Sequence, residues 1–204
     1  MFKKKIEESI GYLYEIRRQI WFSVYVFFLA TFGGYYFAQN FPVETQEYLN
    51  EINEFFDSME DETVFQMFTS IFENNAIAML RVIAFGIFAG VFSIFFLLSN
   101  GFILGLMSQV LTQQISWTLL FFGILPHGII ELPCMFISAA IGLSIGKTAL
   151  KKLFGRKADL TAELAHGLEF SVTVIIPLLL LAAFIEAYIT PFMMEAVVFI
   201  EQAL

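Results

Sequence analysis

The sequence from Val82 to Pro126, VIAFGIFAGVFSIFFLLSNGFILGLMSQVLTQQISWTLLFFGILP, runs for 45 residues without a charged side chain. As one α-helix it would be about 68 Å long, roughly twice the thickness of the hydrocarbon core of a bilayer. The stretch must therefore turn back and supply two membrane crossings. Its most polar interior point, Ser99-Asn100-Gly101, predicts the reversal, with spans near Ala76–Leu98 and Phe102–Phe122.

The composition of the whole chain favours the same class of protein. Of the 204 residues, 58% are hydrophobic and only 15% are charged, whereas a soluble domain carries about 25% charged residues. A soluble domain of this length could not bury so much apolar surface. A disordered chain, a nucleic-acid-binding domain and a disulfide scaffold are excluded. The single cysteine, Cys134, lies in an apolar stretch without a CxxC motif, which excludes thiol-based metal and redox sites.

Three further spans bring the predicted total to five in an all-α, polytopic membrane protein. Residues 19–43 are uncharged and predict a first span near Ile20–Ala38. The charge-free stretches 132–146 and 170–185 hold 15 and 16 residues, fewer than the roughly 20 that a crossing needs. The fourth and fifth spans must therefore include ionisable residues, which are costly in a membrane and often functional. These residues are Glu131 with His127 in the fourth span, and Glu186 or Glu169 in the fifth.

The basic residues predict the orientation. Ten of the 11 Lys and Arg lie in residues 3–18 and 147–157, whereas residues 39–75 hold nine acids and no base. Cytoplasmic loops of membrane proteins are enriched in Lys and Arg. We therefore expect a multi-pass protein of the cell membrane with a cytoplasmic N-terminus, an external C-terminus and an external acidic segment.

We expect one integral membrane domain over residues 1–204, with three flanking amphipathic segments. Residues 1–19 are expected to be cytoplasmic, residues 39–75 to form an acidic outer helical segment, and residues 191–204 an outer interfacial helix. Apolar residues recur at helical spacing over 48–59 and again over 64–72, which predicts two short amphipathic helices. Their acids form either a solvated face or a site for a cation or a basic partner.

Three GxxxG pairs predict close helix packing. Small residues four apart let transmembrane helices approach each other closely, and three such pairs favour a tight bundle and a homo-oligomer. The pairs are Gly86 with Gly90, Gly101 with Gly105, and Gly142 with Gly146.

A polar cluster is predicted from the depths of ionisable residues. His127 and Glu131 are four residues apart and so share a helix face. Depth along the predicted spans places three more polar residues near them, in the outer half of the membrane. The predicted cluster comprises Asn75, Arg81, His127, Glu131 and Glu186.

Three roles fit such a cluster. Arg81 could clamp a carboxylate structurally, the group could relay protons or ions, or His127, Glu131 and Glu186 could hold a divalent metal such as Zn²⁺. The sequence contains no HExxH, no GxSxG and no serine-lysine pair. We therefore expect no cofactor and no enzymatic activity, and a metal-dependent intramembrane hydrolase is the enzymatic alternative.

The stretch Leu125–Pro133 resembles the PHG-x-x-E signature of the stage II sporulation protein M family. Asn74-Asn75, Asn100–Gly105 and Ile185–Pro191 look like other recurrent stretches of that family. The resemblance implies five spans and, for the family's namesake, a membrane scaffold for peptidoglycan-degrading enzymes during engulfment. Family relatives are also found in organisms that do not sporulate, so the resemblance does not imply sporulation for this chain.

We therefore expect an integral membrane scaffold that organises membrane or cell-envelope partners. Its expected partners are the lipid bilayer, further copies of itself and envelope or peptidoglycan-remodelling proteins, with no nucleic acid. The alternative is an oligomeric transporter of a small solute, an ion or a lipid that uses His127, Glu131 and Glu186.

Overall fold

The protein is described here by a computed structural model of residues 2–48, 63–114 and 117–203. No strand occurs in these ranges, so the predicted all-α class is confirmed. Residues 42–48 are helical, and a short 3₁₀ turn, Phe85–Ile87, extends the third helix. The helices are α1 Phe2–Glu15, α2 Arg17–Asn40, α3 Val64–Ala84, α4 Val91–Gln114, α5 Trp117–Leu153, α6 Leu160–Phe170, α7 Ile176–Phe184 and α8 Thr190–Ala203.

Five helical stretches of the described chain are long and apolar enough to cross a membrane, as predicted. The last one joins α6, α7 and α8 through two π-helical turns, Ser171–Ile175 and Ile185–Ile189. Glu131 and Glu186 both fall inside these stretches. The five are Arg17–Asn40, Val64–Ile87, Val91–Thr112, Gly128–Leu153 and Leu160–Val197.

The second span begins 12 residues earlier than the predicted Ala76, at Val64. Thr63 and Gln66 form a capping box: the Gln66 N–H donates to the Thr63 hydroxyl at 3.3 Å, and the Thr63 N–H donates to the Gln66 side chain at 2.9 Å. This pair satisfies backbone donors that a helix start leaves open. The short helix expected over 64–72 is thus the first part of α3, and the one expected over 48–59 lies largely outside the described residues.

The predicted reversal at Ser99-Asn100-Gly101 is wrong, because α4 runs straight through it. The Asn100 amide donates to the carbonyl of Phe96 at 2.8 Å, so its polar group is satisfied within its own helix. The chain turns instead at Ala89 and Gly90, whose φ angles are 56° and 72°. Glycine adopts this left-handed conformation without steric cost.

Helix α5 is the centre of the bundle. Its spanning window is 61% buried, whereas the other four windows are 28–33% buried. It packs against α2, α3, α4, α6, α7 and α8. Five of its side chains are fully enclosed, namely Ser138, Ala139, Ala140, Ile141 and Ile145.

Helices α2 and α4 are held together by close backbone contacts. A Cβ on Gly101 would clash with the Phe27 carbonyl, and a Cβ on Gly105 would lie 2.7 Å from the Tyr35 nitrogen. These contacts advance together along both helices, so α2 and α4 run in the same direction. Gly34 of α2 meets the α4 backbone in the same way.

Helix α3 and the turn after it are seated on α5 through the other glycines. A Cβ on Gly86 would lie 2.6 Å from the Gly142 Cα, and one on Gly142 would lie 2.7 Å from the Val82 carbonyl. Gly146 contacts the backbone of Ala89 and Gly90. Two of the GxxxG pairs thus meet each other inside one molecule.

The two ends of the bundle differ in charge. Tyr12 of α1 contacts the Phe170 ring at 5.6 Å, which places α1 at the same end as the chain segment between α5 and α6. We call this end, which carries residues 3–18 and 147–157, the basic end. The opposite end, where α2 finishes and α3 starts, is called the acidic end.

A glycine pair tests the α2–α4 contact. Gly105→Ala should lower the stability by about 1–3 kcal/mol, because the new methyl group overpacks the interface. Gly33→Ala is the matched control, since nothing lies within 4 Å of a Cβ at Gly33. It should be neutral or stabilising by up to about 1 kcal/mol, through the higher helix propensity of alanine. Thermal unfolding of the detergent-solubilised protein measures both, and equal losses would contradict the contact.

Candidate functional site

Two membrane-embedded carboxylates come together near the acidic end. Glu131 lies on α5 and Glu186 on the π-helical turn Ile185–Ile189, and both side chains are half-buried. This turn packs against both α3 and α5. The two carboxyl groups are close enough for their charges to interact. The sequence forced both residues into spans, whereas the fold brings them to one place.

Local helix irregularities surround both carboxylates. Pro133 lies inside α5, and proline has no N–H to donate to the carbonyl of Ile129, one turn earlier. The Thr190 hydroxyl donates to the Ile185 carbonyl at 3.3 Å and ties the π-helical turn together. Single π-helical turns inside α-helices frequently mark functional sites.

Asn75 lies about one helical turn from the level of Glu131. The contact between Val82 and Gly142 sets the register of α3 against α5, which run in the same direction. Seven residues back from this contact are Asn75 on α3 and Met135 on α5. Met135 is one turn from Glu131, and the Asn75 side chain is half-buried. Asn75 is therefore near the carboxylate pair in depth.

Arg81 lies elsewhere in depth. It belongs to the last turn of α3 and is exposed. The contacts of Val82 and Gly86 with Gly142 place it beside residues 137–141 of α5, six to ten residues and about 9–15 Å along that helix from Glu131. The sequence analysis started this span at Ala76 and so placed Arg81 too close to the acidic end. The clamp between Arg81 and Glu131 therefore has no support from this geometry.

The His127 side chain lies outside the part of the chain that the structure describes, although its backbone is helical. Its expected place beside Glu131, one turn away on α5, stays a prediction. Among the described side chains, no three His, Cys, Asp or Glu are grouped closely enough to hold a metal ion. The described carboxylates could supply two ligands, and a third would have to come from residues such as His127.

A second polar contact lies at the basic end and was not predicted. The Ser144 hydroxyl of α5 donates to the Glu163 carboxylate of α6 at 2.6 Å. The sequence analysis named Glu169 of this helix as a possible ionisable residue of the fifth span, and its side chain is exposed. Glu163 lies four residues before Gly167, so the two share one face of α6. Because Gly167 is buried, this spacing was the signal that Glu163 faces the bundle.

Tyr12 of α1, which precedes the first span, packs against α6 near this contact. Its ring lies 6.3 Å from the His166 ring, and its hydroxyl is buried without a hydrogen-bond partner among the described residues. Burial raises the pKa of the Tyr12 phenol, and the negative charges of Glu163 and Glu15 raise it further. The folded protein therefore strongly favours the neutral phenol.

Comparison with known proteins identifies the family of this bundle. The family model of stage II sporulation protein M matches residues 23–191. The chain belongs to this family. It is also similar to an uncharacterised protein of Methanocaldococcus jannaschii, with 40% identity over 131 residues that cover 61% of this chain and 71% of the relative. No solved structure matches the chain.

The residues matched by the family model can be located on the helices of the bundle. It includes Asn75, Glu131 and Glu186, and it begins within α2. The PHG-x-x-E stretch of this family member lies within α5, so the signature is part of the central helix of the bundle. Helix α1 with Tyr12 lies outside the matched range.

The buried Tyr12 phenol predicts a pH-dependent effect. An unfolded chain releases the phenol proton near pH 10, whereas the raised pKa makes the folded chain keep it, so stability falls as pH rises above about 10. Tyr12→Phe should be neutral or stabilising at pH 7, since it removes a buried hydroxyl without a partner. Its advantage over the wild type should grow with increasing pH above 10. Melting temperatures from pH 7 to 11 measure the difference.

Tyr14→Phe is the control for this pH dependence. Tyr14 is exposed and stacks under the Arg17 guanidinium at 3.9 Å, a contact that phenylalanine preserves. Because the Tyr14 side chain is exposed, this variant measures the effect of losing a tyrosine hydroxyl at the surface. A difference between Tyr12→Phe and the wild type that stays constant from pH 7 to 11 would contradict the burial of the Tyr12 phenol.

The proximity of the two carboxylates can be tested by a double-mutant cycle. Glu131→Gln and Glu186→Gln should change the unfolding free energy non-additively, by more than about 0.5 kcal/mol, because the two charges act on each other. Glu131→Gln combined with Glu169→Gln is the control, since Glu169 lies about 25 Å along the helix from Glu186. Additivity in both cycles would show that Glu131 and Glu186 do not interact.

Proposed function

We propose that this protein is an integral membrane scaffold that holds membrane or envelope partners at its acidic end. One observation supports this proposal best. The bundle is closed by packed backbone and small side chains between the carboxylate pair and the basic end. Close packing between the carboxylate pair and the basic end suits attachment of a partner better than passage of a solute.

The closure is built on α5. From Glu131 to Ile145 this helix advances about 21 Å. Residues 139–145, the part of this stretch nearest the basic end, include four fully enclosed side chains. At Gly142 it lies against the backbone of α3 and the Ser93 hydroxyl of α4 at once. A solute that passed the carboxylates would meet three helices in van der Waals contact.

The charge distribution supports the choice of the acidic end for partners. Glu44 and Glu47 are exposed there, and they would attract a basic surface. The positive-inside tendency supports placing the basic end in the cytoplasm and the acidic end outside. Envelope proteins, including those that remodel peptidoglycan, would then meet the acidic end.

A proton- or ion-coupled transporter is the second candidate. The coupled carboxylates and the π-helical turn beside them favour it, because acidic residues inside membranes often relay protons. Five spans are few to line a path, so this version requires several copies to associate. It also requires the contacts at Gly142 to open.

Flux measurements separate the two candidates. We expect proteoliposomes with wild-type protein, with Glu131→Gln and with no protein to dissipate an imposed pH gradient at the same rate, as followed by an enclosed pH-sensitive dye. A proton flux that the wild type supports and Glu131→Gln abolishes would overturn the scaffold in favour of the transporter. Circular dichroism checks that the variant is folded.

Cross-linking in native membranes tests the scaffold directly. Glu44→Gln with Glu47→Gln should lower the recovery of cross-linked partners roughly fivefold, which corresponds to about 1 kcal/mol of lost attraction. Glu7→Gln with Glu15→Gln removes the same charge at the basic end and should leave recovery unchanged. Equal recovery from both variants would contradict attachment at the acidic end.

A further inference from the structure

A cavity of about 410 Å³ opens at the basic end beside the last turns of α5. Its wall combines three cationic side chains, Lys147, Lys151 and Arg156, with four apolar residues. Small-molecule sites have volumes of about 300–1,000 Å³. The apolar part of the wall is formed by Ala89, Leu143, Leu150 and Phe154.

The cations converge because of the way α5 ends. Lys147 and Lys151 are one turn apart and share a helix face. Gly155 has a φ of 70°, and the Arg156 N–H donates back to the Lys151 carbonyl at 2.9 Å. This glycine-terminated arrangement is a common way for a helix to stop. It folds the chain back so that Arg156 joins the two lysines.

The local charge is strongly positive and is not offset by acids of the same segment. Residues 147–159 contain five bases and one acid, Asp159. The Asp159 carboxylate is directed at the start of α6, where it accepts a hydrogen bond from the Ala162 N–H at 3.0 Å. An anion in the cavity would therefore meet three cations.

The depth of the cavity matches the phosphate level of a bilayer. The spanning part of α5 starts at Gly128, and Lys147 lies about 29 Å further along, which is close to the thickness of the hydrocarbon core. Lys151 is one turn further out. The Phe154 side chain is 75% exposed, so the water-side cations stand beside an apolar surface. The cavity therefore lies at the depth where the acyl chains of a bilayer meet the headgroups.

We propose that this cavity binds the phosphate group of an anionic phospholipid. The lysines and Arg156 hold the phosphate, and Leu143, Leu150 and Phe154 lie along the start of the acyl chains. Basic pockets between transmembrane helices are suited to anionic headgroups. A bound phosphate also offsets the cost of holding Lys147 at the edge of the hydrocarbon. This inference is independent of the proposed scaffold function.

Native mass spectrometry of the purified full-length protein in a neutral detergent tests the proposal. Titration with phosphatidylglycerol should give one tightly bound lipid, with at least about tenfold preference over phosphatidylcholine. Lys147→Gln with Lys151→Gln should weaken this binding about tenfold or more, because each cation near an anionic lipid contributes about 1 kcal/mol. Equal binding of both lipids would overturn the proposal.

The matched control is Lys152→Gln with Lys157→Gln, which removes the same charge from the same segment outside the cavity wall. Phosphatidylglycerol binding to this variant should stay within about threefold of the wild type, as expected for charges that only contribute to the general field. An equal loss in both variants would show diffuse attraction and overturn the site. Lys147→Arg with Lys151→Arg should retain binding, and Arg156→Gln supplies an independent loss if the double variant fails to fold.

Inorganic phosphate separates a lipid from a free ion. Phosphate at 10 mM, in the same detergent, is expected to leave the melting temperature unchanged, whereas phosphatidylglycerol raises it because it binds the folded state. A rise with phosphate alone that is lost in Lys147→Gln with Lys151→Gln would assign the cavity to a soluble phosphate and overturn the lipid.

Discussion

The constraint on which the packing of the bundle depends is the absence of a side chain at Gly142. At this point α5 lies in backbone contact with α3 on one side and meets Ser93 of α4 on the other. Apolar side chains gain little from burial when the solvent is lipid, so close van der Waals packing has to hold membrane helices together. Three helices can meet so closely here because only hydrogen atoms project from Gly142.

Other parts of the fold follow from this contact. It fixes the register of α3 against α5, and this register sets the depth of Asn75 near Glu131 and moves Arg81 away. Gly146, one turn further, receives the turn at Ala89 and Gly90. This turn in turn borders the basic cavity. The packing that closes the bundle therefore also positions the two regions for which we propose functions.

The two proposed functions lie at opposite ends and use different physics. At the acidic end, half-buried carboxylates and exposed acids offer negative charge to a partner. At the basic end, cations and apolar side chains stand at the depth where a bilayer changes from acyl chains to phosphate. An asymmetric membrane protein of this kind would be oriented by lipids on one face and would be available to envelope proteins on the other.

The sequence by itself determined the class, the number of spans and the presence of Glu131 and Glu186 within them. Hydrocarbon thickness and charge-free lengths are sufficient for these conclusions. A helix that crosses the membrane needs a minimum number of apolar residues, and that number can be counted directly in the sequence. The capping box at Thr63 was also readable, and would have placed the start of α3 and the depth of Arg81 correctly. The tertiary structure alone decided where the charge-free stretch turns and which polar groups meet. The Asn100 amide finds its hydrogen-bond partner within its own helix, so it does not break that helix. The contact of Ser144 with Glu163 and the approach of Glu186 to Glu131 depend on how separate helices pack side by side. Residue spacing within one helix does not specify that packing.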